Sequence, residues 1–174
     1  MRNLCLVLCL GLAGCAGIEG RVALDESPGF DLFEFFDGQV LAVGIVQDRA
    51  GNVVQRFEAD INGSVQGDTL VLDEQFRYWQ GEGPATRVWT IERMDQGFVG
   101  SATDIPGPAR GQSFGNALNW QYSMQLPYGD GTIGVRFDDW FWALDDQRMI
   151  NRSYIKKFGL TVAEVTLYME RLDR

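Results

Sequence analysis

The sequence predicts an all-β domain of antiparallel strands, closed into a barrel or stacked as a two-sheet sandwich. Three observations predict it. Glycines at Gly38, Gly51, Gly63, Gly67, Gly81, Gly97 and Gly131 punctuate the chain as turns. Between them lie segments rich in Val, Ile, Thr and aromatics, repeating roughly every 8 to 12 residues. Several of these segments alternate apolar and polar residues, so each presents one apolar face to a shared interior.

In chain order, residues 1–14 read as a removable signal. Met1-Arg2-Asn3 is followed by the apolar run Leu4 to Leu12, then small residues, then Cys15. This is a lipobox, and it makes Cys15 the acylated first residue of the mature chain. The run is too short to span a bilayer core of about 30 Å, which needs about 20 apolar residues. The reading implies a bacterial host, a periplasm-facing protein and a membrane partnership through the N-terminal lipid. Ala16 stands where an aspartate would signal retention at the inner membrane, which points to the outer membrane. Residues 15–29 form the lipidated tether, and 30–174 the barrel domain.

Asp31 to Phe36 predicts a short helix at the start of the domain. Strands are expected near 39–48, 52–62, 68–78, 85–95, 97–103, 114–126, 131–140, 147–157 and 161–171, about eight or nine in all. Leu70, Leu72, Phe76 and Tyr78 share one face. Leu118, Trp120, Tyr122, Met124 and Leu126 form a second, and Ile133, Val135 and Phe137 a third. The last segment has helix-tolerant residues, but Val162, Val165, Thr166 and Tyr168 favour strand. Asp104 to Gln112, with Pro106, Gly107 and Pro108, reads as the largest break and is placed to cross a barrel mouth.

Composition narrows the chemistry. The chain has 174 residues, 24 acidic against 15 basic, and a net charge of −9. That balance argues against nucleic acid as a partner. The cysteines are Cys5, Cys9 and Cys15, so no disulfide can form within the mature domain. There is no histidine. This removes the Ser-His and Cys-His nucleophile arrangements and ordinary zinc sites, and it weighs against an enzyme. No cofactor and no metal are expected.

The informative residues are polar ones on apolar faces. Glu74 lies between Leu72 and Phe76, and Arg87 shares its face with Trp89 and Ile91. A hairpin turning near Gly81 to Gly83 sets Glu74 opposite Arg87, Leu72 opposite Trp89 and Leu70 opposite Ile91. The carboxylate and guanidinium would then neutralise each other, as a register-fixing pair or as a polar group inside a ligand cavity. Asp139 follows Phe137 on the same parity, and Asn116 leads the Leu118 face.

Two clusters carry weaker signals. Phe137 to Asp146 holds four aspartates around three aromatics. Their oxygens suit calcium, but the spacing matches no EF-hand loop, and an aspartate-rimmed turn is the better reading. Asn151 to Gly159 gathers basic residues, including Lys156 and Lys157, the two lysines of the chain. It reads as a carboxylate or phosphate contact, or as a solvated face balancing nearby aspartates.

Four stretches together, Gly111 to Tyr122, Phe137-Asp-Asp-Trp140, Asn151-Arg-Ser153 and Lys157-Phe-Gly159, backed by Arg87-Val-Trp89, resemble a proteobacterial lipoprotein family, the domain of unknown function numbered 3833. The resemblance runs from about Phe30 to the end. It departs at Tyr78 to Glu82, where an aspartate is expected before the glycine. It implies a lipocalin-like barrel on a periplasm-facing lipoprotein, with no established activity. The family's genes often lie near fatty-acid methyltransferases of the cyclopropane-synthase type, an association with envelope lipid metabolism.

The leading functional expectation is a binding module. An acyl chain or similar apolar ligand would sit among Leu72, Phe76, Trp89, Trp120 and Phe137, with Glu74, Arg87 and Asp139 near its head. One rival is a structural or interaction lipoprotein whose barrel is packed solid. The other is a histidine-free lipid-modifying enzyme with Glu74 or Asp139 as base and Arg87 as electrostatic partner.

Overall fold

The computed structural model describes residues 29–172. The signal segment, Cys15 and nearly all of the tether, residues 15–28, lie outside the described residues. The domain is a helix, α1 (Leu32–Phe36), followed by ten strands. These are β1 (Gly38–Asp48), β2 (Val53–Gln66), β3 (Thr69–Gln80), β4 (Thr86–Arg93), β5 (Phe98–Ala102), β6 (Ala109–Phe114), β7 (Ala117–Tyr128), β8 (Gly131–Ala143), β9 (Arg148–Lys157) and β10 (Leu160–Arg171).

Each strand pairs antiparallel with the next, and β1 pairs with β10, so the sheet closes into a barrel rather than a sandwich. Closure removes both sheet edges, the exposed backbone that an open sheet would have to protect. The C-terminal segment is the closing strand, with Val40 opposite Arg171 and Val46 opposite Val165.

The strand count is ten, against about eight or nine expected. The difference is β6. Ala109 to Phe114 overlaps the end of the stretch 104–112 read as a break, behind Pro106 and Pro108, and it pairs with β5 and β7. Its Gly111 is required by packing. A Cβ there would lie 2.4 Å from Cε3 of Trp120, and one at Gly100 on β5 would lie 2.6 Å from Cζ2 of the same indole. The two glycines let the Trp120 ring lie against the wall of the barrel.

Helix α1 plugs one end. Asp31 caps it, its side chain accepting from the amides of Phe33 at 2.8 Å and Glu34 at 3.2 Å. Leu32, Phe33, Phe35 and Phe36 are all buried, each stabilising by roughly 1.5–3 kcal/mol. The helix approaches so closely that a Cβ on Gly63 would collide with the Phe36 carbonyl. Arg93 pairs with Asp31 at 3.2 Å and lies 4.5 Å above the Phe33 ring. From β10, Arg171 donates to the carbonyls of Phe35 at 2.8 Å and Asp37 at 3.1 Å.

The opposite end carries the β1–β2, β3–β4, β7–β8 and β9–β10 turns and is apolar at its rim. Phe158 is 91% exposed, Tyr128 71% and Trp79 58%. Phe158 and Gly159 form the β9–β10 turn with φ of 51° and 79°, a geometry that favours Asn-Gly and strains a bulky residue.

Candidate functional site

The inward faces do not fill the barrel. They enclose a cavity of about 1170 Å³, floored by Leu32 and Phe36 of α1 and reaching the rim at Gly81 to Pro84 and Tyr128. A typical ligand pocket measures about 300–1,000 Å³, so this interior is of ligand size. Its wall is mainly apolar and aromatic. Trp89 meets Trp120 and Tyr122 edge-on at 5.7 and 5.3 Å, and Tyr122 stacks on Phe137 at 4.8 Å. Phe57, Phe76 and Tyr78 form a second aromatic group.

Set into this wall is a small polar cluster. The β3–β4 ladder has the expected register, with Glu74 opposite Arg87, Leu72 opposite Trp89 and Leu70 opposite Ile91. The expected mutual neutralisation of Glu74 and Arg87 needs correction, because Arg87 is taken by another residue. Its Nε and Nη2 donate to the Asp104 carboxylate at 3.0 and 2.8 Å. The loop after β5 delivers Asp104, and the forked geometry is the stronger form of such a pair. Arg87 also contacts Sδ of Met124 at 3.8 Å and faces the Phe76 ring at 5.9 Å.

Glu74 therefore has Arg87 as a neighbouring charge only. By area it is partly covered, because it borders the cavity. Burial nevertheless pushes its carboxyl up to about 7, against the pull of Arg87 and with Asp104 and Asp73 adding to the rise. Asp139 is 6% exposed and also rises to about 7. Burial is the main cause and Asp138 adds to it, while hydrogen bonds from Ser153 and Tyr122 and the charge of Arg87 hold it down. Oδ1 of Asp139 has no hydrogen-bond partner. Tyr122 lies within the fields of Asp139, Arg87, Glu74 and Asp104; burial foremost holds its hydroxyl well above the usual range.

Residues 9–171 match the family described as "Protein of unknown function (DUF3833)". The chain belongs to this family. No curated protein matches it. Among solved structures, the DUF3833 barrel is similar to an S-type phycobiliprotein lyase from Guillardia theta, with a TM-score of 0.57 at 10% identity. The match covers 82% of this chain and 91% of that one. At this identity the likeness concerns the fold, an antiparallel barrel of lipocalin-like form.

The eight residues expected to bind the ligand all reach the cavity of the DUF3833 barrel, while Asn116 does not line it. Leu72, Glu74, Phe76, Arg87, Trp89, Trp120, Phe137 and Asp139 all line it. Cys15 lies outside the described residues. The structure adds Asp104, Asn151 and Ser153. Asp104 carried no local signal, since only the loop after β5 brings it back to Arg87. Asn151 and Ser153 share the parity of Ile155, and that alternation was a readable sign of an inward polar stripe on β9.

The basic segment is dispersed. Lys156 pairs with Asp138 at 2.8 Å on the outer face. Lys157 borders the cavity and donates to the Gly134 carbonyl at 2.6 Å. The aspartates divide likewise, with Asp139 inside, Asp138 outside and Asp145 accepting from the amides of Gln147 and Arg148. Among the described residues no group of three or more acidic, histidine or cysteine side chains gathers as metal ligands.

Proposed function

We propose that this protein is a lipid-anchored envelope protein that holds an acyl chain or another long apolar ligand in its barrel. The observation that carries the binding reading is the open interior. Ten strands of large side chains still leave about 1170 Å³, where a structural lipoprotein would pack it shut. An apolar ligand filling that space would remove its own surface and the aromatic wall from water, at about 25 cal/mol for each Å² covered. The few polar groups would orient one end of it. The anchor rests on the lipobox, with Cys15 tethering the chain to the outer membrane on its periplasmic side.

Native mass spectrometry of the protein from its own host is the direct test. One molecule of retained lipid per chain is the expected result, and a bare polypeptide under every gentle condition would oppose the reading. For the anchor, Cys15→Ser is expected to leave an unprocessed or released protein. Normal maturation and membrane fractionation of that variant would refute it.

The lipid-modifying enzyme is the second reading, favoured by two cavity carboxyls near neutral. Its expected electrostatic partner, Arg87, is already neutralised by Asp104. Binding is therefore the reading we adopt.

A further inference from the structure

We infer that the cavity selects an apolar molecule with an ammonium head, seated between Asp139 and Glu74 and the rings of Trp89, Trp120, Tyr122 and Phe137. This rests on the binding reading above and specifies its ligand. Arginine in an apolar barrel invites a different expectation, a free fatty acid held by its carboxylate. Three observations oppose that expectation.

The first is the state of Arg87. Nε and Nη2 both go to Asp104, so the charge of Arg87 is already balanced and a ligand carboxylate would find only its remaining N–H groups, beside a carboxylate of like charge. The second is the charge of the lining. Four acids, Glu74, Glu82, Asp104 and Asp139, stand against two bases, Arg87 and Lys157. After Arg87 and Asp104 cancel, the polar cluster keeps Glu74 and Asp139, and an anionic head there would meet like charge inside a poorly screened space.

The third observation points to the cation itself. Asp139 is more than nine-tenths buried and lines the cavity; Ser153 and Tyr122 hydrogen-bond its carboxyl, and its Oδ1 is left without a partner. A buried acceptor in that condition calls for a donor. Trp120 stands directly across the β7–β8 ladder from it, Phe137 is two residues away on the same face, and Tyr122 pairs with Phe137. Trp89 closes the group edge-on. Carboxylates beside the faces of aromatic rings are the composition that recognises ammonium groups. Charging the empty site costs the protein, since both carboxyls rise toward neutral there; a bound cation would relieve that cost.

The test compares three probes of one chain length at pH 8, namely protonated dodecylamine, dodecan-1-ol and dodecanoate. They are titrated by calorimetry, below their aggregation concentrations, into the full chain carrying Cys15→Ser. Dodecylamine is expected to bind one per chain, about tenfold more tightly than dodecan-1-ol, with dodecanoate weakest. Asp139→Asn should erase the amine's advantage and leave the alcohol's affinity unchanged, which also reports an intact cavity. Glu74→Gln should reduce the advantage, and Asp95→Asn, an exposed acid on the β4–β5 turn, should not alter it. Dodecanoate binding as tightly as the amine would overturn the inference, as would dodecanoate binding lost in Lys157→Gln, which places an anionic head at the mouth. An amine preference that survives Asp139→Asn together with Glu74→Gln would also overturn it, as unspecific attraction to an acidic protein. If none of the probes binds, the binding reading itself fails; if dodecan-1-ol binds and the amine is not preferred, only the inference fails.

Discussion

Arg87 stands directly opposite Glu74 in the β3–β4 ladder, yet it donates its hydrogen bonds to Asp104, 17 residues further along the chain. A ladder fixes which Cα atoms face each other and leaves a long side chain free to choose a partner. Asp104 offers a carboxylate with access to water, 29% exposed against 14% for Arg87. Pairing there leaves Arg87 less desolvated than a wholly interior pair would.

The partner choice has a measurable consequence. Asp104→Asn strands the guanidinium and should cost about 2 kcal/mol, below the roughly 3–5 kcal/mol of a fully buried pair because Asp104 is partly hydrated. Glu74→Gln removes a carboxylate that no donor satisfies, and at pH 8 it should be neutral or stabilising. Urea unfolding of the two variants decides the matter. A larger loss in Glu74→Gln than in Asp104→Asn would mean that Arg87 serves Glu74 after all.

The interior carboxyls predict an unusual pH profile. In the folded state Glu74 and Asp139 hold their protons up to about 7, above their unfolded values of 4.5 and 3.8. The folded protein therefore binds more protons than the unfolded chain within that window. Stability contributed by these groups is present at low pH, declines as pH rises from about 4 to 7, and is gone above it. Asp139→Asn should flatten much of that slope and stabilise the protein at pH 8 by on the order of 2–4 kcal/mol, at about 1.4 kcal/mol for each tenfold change in proton affinity. Below pH 4 the trend reverses, because Asp138 and Asp31, whose carboxyls sit below the usual range despite burial, lose their hydrogen-bonded ionised forms. Urea midpoints from pH 5 to 8 test this. A parent protein that gains stability toward pH 8 contradicts it.

Phe158 is strained for little folded-state return. It sits in the left-handed region at the tip of the β9–β10 turn, with the Lys157 ammonium 4.8 Å from its ring as its contact. Phe158→Asn supplies the residue that this turn prefers and should raise stability by about 1 kcal/mol. Thermal unfolding should show a midpoint higher by a few degrees. An unchanged or lower midpoint would mean that the ring earns more from its contacts than the turn loses.

The legible parts of this fold were those governed by a period of two. Leu70 to Tyr78 and Leu118 to Leu126 declared their inward faces, and the Gly81 to Gly83 turn set the β3–β4 register. Asp139 was readable as an interior residue because Phe137 and Val135 precede it at the same parity. Strand β6 was hidden because Gly111 is dictated by the Trp120 ring rather than by strand propensity, and because two prolines precede it. Asp104 was hidden because a loop residue's partner depends on tertiary geometry, which no local spacing encodes. The open interior was the least legible feature of all. Large aromatics made a solid core a serious rival to the expected cavity, yet Trp89, Trp120, Tyr122 and Phe137 pack against one another along the wall and leave the centre free.

The most direct test of the central claim fills that centre. The full chain carrying Cys15→Ser is titrated with dodecan-1-ol by calorimetry at several temperatures, alongside the same chain with Leu72→Trp. The parent should bind saturably, one per chain, with a negative heat-capacity change from apolar burial, and Leu72→Trp should lose most of the affinity by occupying the cavity. No saturable binding by the parent, or equal binding by the filled variant, would contradict the account.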